Sequence, residues 1–281
     1  MPSYDSSRDR LRLADRHIAA LGHLVKGGPV PGELDQSVTE LRDAGLVAPD
    51  DRISPVLAEL IGVLDLPVVV IQVEVSGEHG VLNSGIVTGA ESAIAHSAWP
   101  GEEESEYVPI EPAMLPWELA RMVNLRRSED DAAVAGAPVV ESTVGTLDAV
   151  FADLGQLPAE ELEREGVAAE RARAVLAEAG GLDEAPLSCF VDLITSLKAS
   201  WRISVTWQGK AEDGTAPEVR GLAVWDCGAH GYWHRQSPAE PVLPGQPTPE
   251  TALRLVRVSK GEVWEMFADL FPGSADIATA D

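Results

Sequence analysis

Apolar positions in this chain change their period twice, in the same order each time. Leu57, Leu60, Ile61 and Leu64 recur at three and four residues, the spacing of one helix face. Val69, Ile71, Val73 and Val75 follow at intervals of two, the spacing of one strand face. The succession returns as Phe190, Leu193, Ile194 and Leu197, then Trp201, Ile203, Val205 and Trp207. The helical positions lie at one offset of 133 (190 minus 57, 197 minus 64), and the strand positions at 132 (201 minus 69). Two periods repeated in order at a near-constant offset predict an internal duplication.

Around this pair the remaining elements fall into place. Residues 1–9 are polar and are expected to be disordered. Leu11, Ala14, Ile18, Leu21 and Val25 predict a first helix stopped by Gly27-Gly28-Pro29, and Leu34, Val38 and Leu41 a second, stopped at Ala44-Gly45. Ser54-Pro55 supplies a cap and a first-turn proline for a third. Strands follow at Val68–Val75, Val81–Thr88, Ser92–Ala98 and Tyr107–Ile110, close enough in sequence for an antiparallel meander, and Leu115–Val123 closes the repeat as a helix. Ser128–Pro138 reads as the connection. The second half gives helices over Val144–Leu154 and Leu162–Ala179 and one opening at Pro186. Its strands are Trp201–Trp207, Val219–Trp225, Gly231–Arg235 and Leu253–Val258, with a long hairpin loop at Gly209–Pro217. After the proline-rich 238–249 stretch, Val263, Trp264, Phe267 and Leu270 mark a last helix, and residues 273–281 form a disordered tail. The expected fold is α+β: one domain over 10–272, built of repeats 10–127 and 139–272 related by a pseudo-two-fold, with a central antiparallel sheet flanked by helical bundles.

Charge removes some partners. With 46 acidic against 21 basic residues the formal net charge is −25, and both halves are acidic, which repels phosphate backbones and anionic lipid. The three helices before the first strand resemble a winged-helix order, but the second carries Glu33, Asp35, Glu40 and Asp43 and no basic face, so nucleic-acid binding is not expected. No apolar run is long enough to span a bilayer, and no signal-peptide core is present, so membrane insertion is not expected and the chain reads as cytoplasmic. Cys189 and Cys227 stand in no CxxC pattern and read as reduced thiols.

Catalytic motifs are absent: no GxSxG, GxxxxGK[ST], HExxH or GxGxxG occurs, and no cofactor or metal is expected. His230 and His234, four apart on a predicted strand, are the best pair of metal ligands but lack a third. Glu102–Glu104 reads as a solvated acidic loop. Tryptophan stands out instead. Seven Trp accompany four Phe and three Tyr, five of them in the second half, and Trp207 and Trp225 lie near strand ends where an aromatic ring can serve as an anchor for a partner protein.

Three segments carry a family resemblance: LRDAGLVAPDDRISPVLAELIGVLDLPVVVIQV (Leu41–Val73), VPIEPAMLPWELARMV (Val108–Val123) and LRLVRVSKGEVWEMFADLF (Leu253–Phe271). In these, and in the duplicated order of elements over residues 10–272, the chain resembles the EspG family of actinobacterial type VII (ESX) secretion. The resemblance implies a non-enzymatic cytosolic chaperone that binds helical PE–PPE-like heterodimers, keeps them soluble and directs them to export. It also implies a client surface near Val205–Trp207, Leu222–Trp225, Thr88–Ser92 and Trp264–Phe271, with Val205, Trp207, Leu222, Trp225, Trp264 and Phe267 as contact residues. Self-association into a homodimer is left open. The alternative from another class is a small-molecule-binding or hydrolytic α+β domain with a site in the groove between repeats, lined by His230 and His234.

Overall fold

A computed structural model describes residues 1–78, 80–125, 138–162, 164–179, 181–211, 214–237 and 247–278. The 128–138 connection and the proline-rich 238–249 stretch thus lie largely outside the described residues. The first half runs β1 (Ser3–Asp5), β2 (Arg10–Ala14), α1 (Asp15–Val25), α2 (Asp35–Asp43), α3 (Pro55–Asp65), β3 (Val69–Gly77), β4 (Gly80–Thr88), β5 (Ala93–Ala98), β6 (Glu104–Ile110) and α4 (Leu115–Met122). The second runs β7 (Val139–Thr143), α5 (Val144–Leu154), α6 (Ala159–Leu162), α7 (Val167–Ala179), α8 (Glu184–Thr195), β8 (Ala199–Ala211), β9 (Gly214–Asp226), β10 (Tyr232–Arg235), β11 (Ala252–Val258) and α9 (Lys260–Leu270). This is an α+β fold with antiparallel strands and flanking helices, and its two halves have the same plan. In each, a short strand leads a helix and later pairs with the fourth meander strand: β2 with β6, and β7 with β11.

Those leading strands correct the sequence reading, which began each half with a helix. Leu11 and Leu13 are buried and alternate with the less buried Arg10 and Arg12, a strand's period of two that is too short to compete with the helical pattern just after it. Ser3–Asp5 pairs with Arg10–Arg12, so part of the expected disordered N-terminus is strand. The expected loop at Gly209–Pro217 is also largely strand, because β8 and β9 run on to Ala211 and from Gly214. The 273–278 segment, expected to be disordered, is taken up below.

Two compact units divide the chain differently from the sequence repeat. Unit 1 comprises Met1–Leu125, Arg202–Gly221 and Phe267–Asp281; unit 2 comprises Arg126–Trp201 and Leu222–Met266. In unit 1 the strands neighbour one another in the order β1-β2-β6-β5-β4-β3-β8, with the first part of β9 beside β8. In unit 2 the end of β9 is followed by β10, β11 and β7.

Each unit has its own core, and the duplicated positions build both. Leu57, Leu60 and Ile61 of α3 pack with Leu21, Leu41 and Ile94 in unit 1. Phe190, Leu193 and Ile194 of α8 pack with Val150, Leu176 and Trp233 in unit 2. The α3 start follows its sequence signals: the Ser54 hydroxyl accepts the Leu57 N–H at 3.3 Å, and Pro55 sits in the first turn.

Candidate functional site

Strand parity decides what the sheet presents. Trp201, Ile203, Val205 and Trp207 share one face of β8, and all four are at most 5% exposed. Leu222 and Trp225 of β9 and Phe267 of α9 are equally buried, and Trp264 is half-buried. Five of the six residues expected to contact a partner are therefore core residues, and the six are shared between the units: Val205, Trp207 and Phe267 in unit 1, the others in unit 2. The signal that made them candidates, large apolar rings at strand positions, is the same signal that a core face produces. Trp207 shows the cost of that burial: its indole N–H has no hydrogen-bond partner among the described residues, and the Arg220 guanidinium lies 5.0 Å over its ring. The half-exposed tryptophans are in the first half, Trp99 at 51% and Trp117 at 49%.

The other face of the unit 1 sheet sends Leu11, Ile94 and Tyr107 into the core and turns polar where β3, β4 and β8 adjoin. Gln72 and Glu74 of β3, Asn83 of β4 and Arg202 and Ser204 of β8 line a concavity of about 650 Å³ whose far wall is His96 and Tyr107. The two rings stand 5.0 Å apart at 43°. Burial pulls the His96 pKa down, partly offset by the Asp15 charge, and pushes the Tyr107 hydroxyl up to about 12. Gly85 forms the floor between Gln72 and His96, which are its register partners on β3 and β5.

A second groove, also within unit 1, is apolar. Val63 and Leu66 at the end of α3, Pro67, Val68 and the Gly89–Ser92 loop enclose about 820 Å³ with Gln208, Thr215 and Ile277. Leu66 is 76% exposed there, the largest exposure of any large apolar side chain after Met1 among the described residues. The Gly89 N–H bonds the Ser92 carbonyl at 2.7 Å, and a Cβ on Gly89 would sit 3.3 Å from Val63. This tight loop is the part of the expected client surface, Thr88–Ser92, that does line an open groove.

The remaining candidates are dispersed. His230 closes a 3-10 turn, Gly228–His230, where its carbonyl accepts the Trp233 indole N–H at 3.0 Å; His234 lies on β10. Gly231, with φ of 79°, separates the turn from the strand, so the expected shared strand face does not exist. Burial lowers the His234 pKa. Among the described residues no three His, Cys, Asp or Glu side chains stand together in a metal-binding arrangement. Cys189 and Cys227 are buried in the unit 2 core and form no disulfide, and burial, with lesser contributions from Asp226 and Cys189, pushes Cys227 up to about 12. The Glu102–Glu106 stretch is matched by arginines of β2 and α1: Glu102 meets Arg12 at 3.2 Å, Glu106 meets Arg10 at 3.0 Å, and Glu103 meets Arg16. No described helix is long and apolar enough to cross a membrane.

The described residues thus form an acidic, duplicated α+β chain with two open grooves. Comparison with solved structures gives that architecture a precedent. The chain is similar to the Mycobacterium tuberculosis type VII secretion system chaperone EspG5, solved in complex with a PE25-PPE41 dimer, at a TM-score of 0.57 and 11% identity over 96% of this chain and 100% of that one. The fold is therefore that of the EspG chaperones over nearly the whole chain. The sequence profile of no protein family matches, and no curated protein matches.

Proposed function

We propose that this protein is a non-enzymatic cytosolic chaperone that binds a helical type VII secretion substrate of the PE–PPE kind, keeps it soluble and delivers it for export. The observation that carries this reading is the whole-length fold likeness to a chaperone solved with such a client bound. Two further features support it. A net charge of −25 keeps a protein soluble while it exposes apolar surface. Half-exposed Trp99 and Trp117 are anchors of the kind that protein interfaces concentrate on.

Co-expression with PE–PPE-type substrates encoded beside this chain, followed by affinity capture and light scattering on a sizing column, tests it. The expected result is a soluble complex with one chaperone per heterodimer, weakened by Trp117→Ser or Trp99→Ser in a chain that keeps its thermal transition. Failure of every such heterodimer to bind overturns the reading. Trp225→Ala does not serve as the surface probe, because Trp225 is core.

A further inference from the structure

The apolar groove of unit 1 is lined in part by the chain's own last described residues. Gly209 of β8 forms an antiparallel bridge with Ile277, and the Ala278 N–H donates to the Gln208 carbonyl at 2.8 Å. The segment reaches this place from a clamp. Arg220 donates to the carbonyls of Asp269 and Phe271 at 3.1 and 2.8 Å and meets the Asp276 carboxylate at 3.4 Å, while that carboxylate accepts the Gly273 N–H at 3.0 Å. Beyond the clamp, 277–278 is attached by one bridge and one aliphatic side chain, the smallest form of β-strand addition. All of these residues belong to unit 1.

The groove is larger than its occupant's contribution and differently charged. Leu66 stays 76% exposed with Ile277 in place. Glu59, Asp65 and Glu91 stand on the lining, and of these Asp65 is paired, with Lys26 at 2.5 Å. The resident segment carries Asp276 and no cation, so it offers the carboxylates nothing.

We propose that this groove is a binding site for an extended peptide segment of a partner protein. The peptide adds as a strand to Gln208–Gly209 in place of 277–278, sets an aliphatic residue where Ile277 lies and brings a basic residue to Glu59 and Glu91. Residues 277–278 are then an intramolecular competitor that must leave. A second copy's segment would carry the same acidic sequence as the resident one, and so gains nothing over it. The Gly89–Ser92 loop of this groove also belongs to the client surface expected above, but the test uses no client, so failure of this inference and failure of the client reading are told apart.

The probe is a labelled peptide of residues 273–281 carrying Thr279→Lys and Asp281→Lys, titrated by fluorescence anisotropy. Against a chain ending at Asp276, which retains the Arg220 clamp, it is expected to bind at least about tenfold tighter than against the full chain, and Ile277→Asp in the peptide to weaken it at least about tenfold. Added salt weakens it further. Should the shortened chain lose its thermal transition, the full chain with Ala278→Pro, which removes the N–H given to Gln208, is read in the same titration with the same expectation. Equal binding to full and released chains, or indifference to Ile277→Asp, overturns the proposal. So does a full-length dimer that becomes monomeric on ending the chain at Asp276, which would assign the groove to segments exchanged between copies.

Discussion

His17 lies fully buried on α1 because both ring nitrogens are occupied. Nδ1 accepts the Ala14 N–H at 3.0 Å, reaching back over the helix start as a capping-box side chain does, and Nε2 stands 2.8 Å from the Glu40 carboxylate on α2. His17→Leu leaves the Ala14 N–H unmet and is expected to cost about 1–3 kcal/mol, read as a lower urea midpoint. Glu40 is held down to about 2, by His17 first, then by Arg16 and Gln36. A carboxyl whose folded pKa is depressed contributes stability above its unfolded value and loses it as pH falls towards the folded one. The stability difference between the native chain and Glu40→Gln is therefore expected to shrink from pH 5 to pH 2.5, and a constant difference would refute the role given to Glu40. His96 works from its neutral side. Its pKa is lowered by burial, so the unfolded chain takes the proton first and stability declines as pH falls below about 6.5. His96→Gln should flatten the urea midpoint between pH 7.5 and 5.5.

At the scale of elements, the duplicated pair is interchangeable in burial. Leu60 and Leu193 are 1% and 0% exposed on α3 and α8. Each Leu→Ala is expected to cost about 2–5 kcal/mol, and a near-zero cost at either site would show that its core collapses around the gap. The β3–β4 ladder has one position that admits no side chain: a Cβ on Gly85 would lie 2.5 Å from the Ile71 carbonyl oxygen. Gly85 is buried, and Gly85→Ala is expected to cost about 1–3 kcal/mol and to speed amide exchange along β3 and β4. The capped start of α3, the meander strands and the α3/α8 correspondence were legible in the sequence, since each rests on neighbours within a few residues, whereas the helix expected over Leu162–Ala179 is two, α6 and α7. The leading strands β2 and β7 were not. Each is five residues long, directly abuts a helix, and is stabilised by a partner on β6 or β11 roughly a hundred residues away.

For the whole molecule, the division into units matters more than the division into repeats. Unit 1 takes Arg202–Gly221 from the second half, and β3 has β8 as its neighbour on the side away from β4. A fragment ending at Leu125 therefore leaves β3 as an open, largely apolar edge. It is expected to aggregate or to unfold without a cooperative transition, whereas a sharp, reversible transition in that fragment would show that unit 1 needs nothing from the second half. The same reasoning explains why the tryptophan-rich strands read as an interface. Composition can mark Trp207 and Trp225 as large and apolar, but which side of a sheet the helices cover is set by how distant elements pack.

By itself the sequence determined the α+β class, the duplication, the antiparallel meanders and the absence of familiar catalytic motifs, because periodicity, capping and turn chemistry are local. The tertiary structure decided the rest. It put the tryptophan face of β8 inside and the Gln72–Arg202 face outside, joined the Glu102–Glu106 stretch to the β2 arginines, and set residues 277–278 against Gln208–Gly209. Each of these turns on which distant segments meet, and burial follows from such meetings rather than from the identity of any one residue.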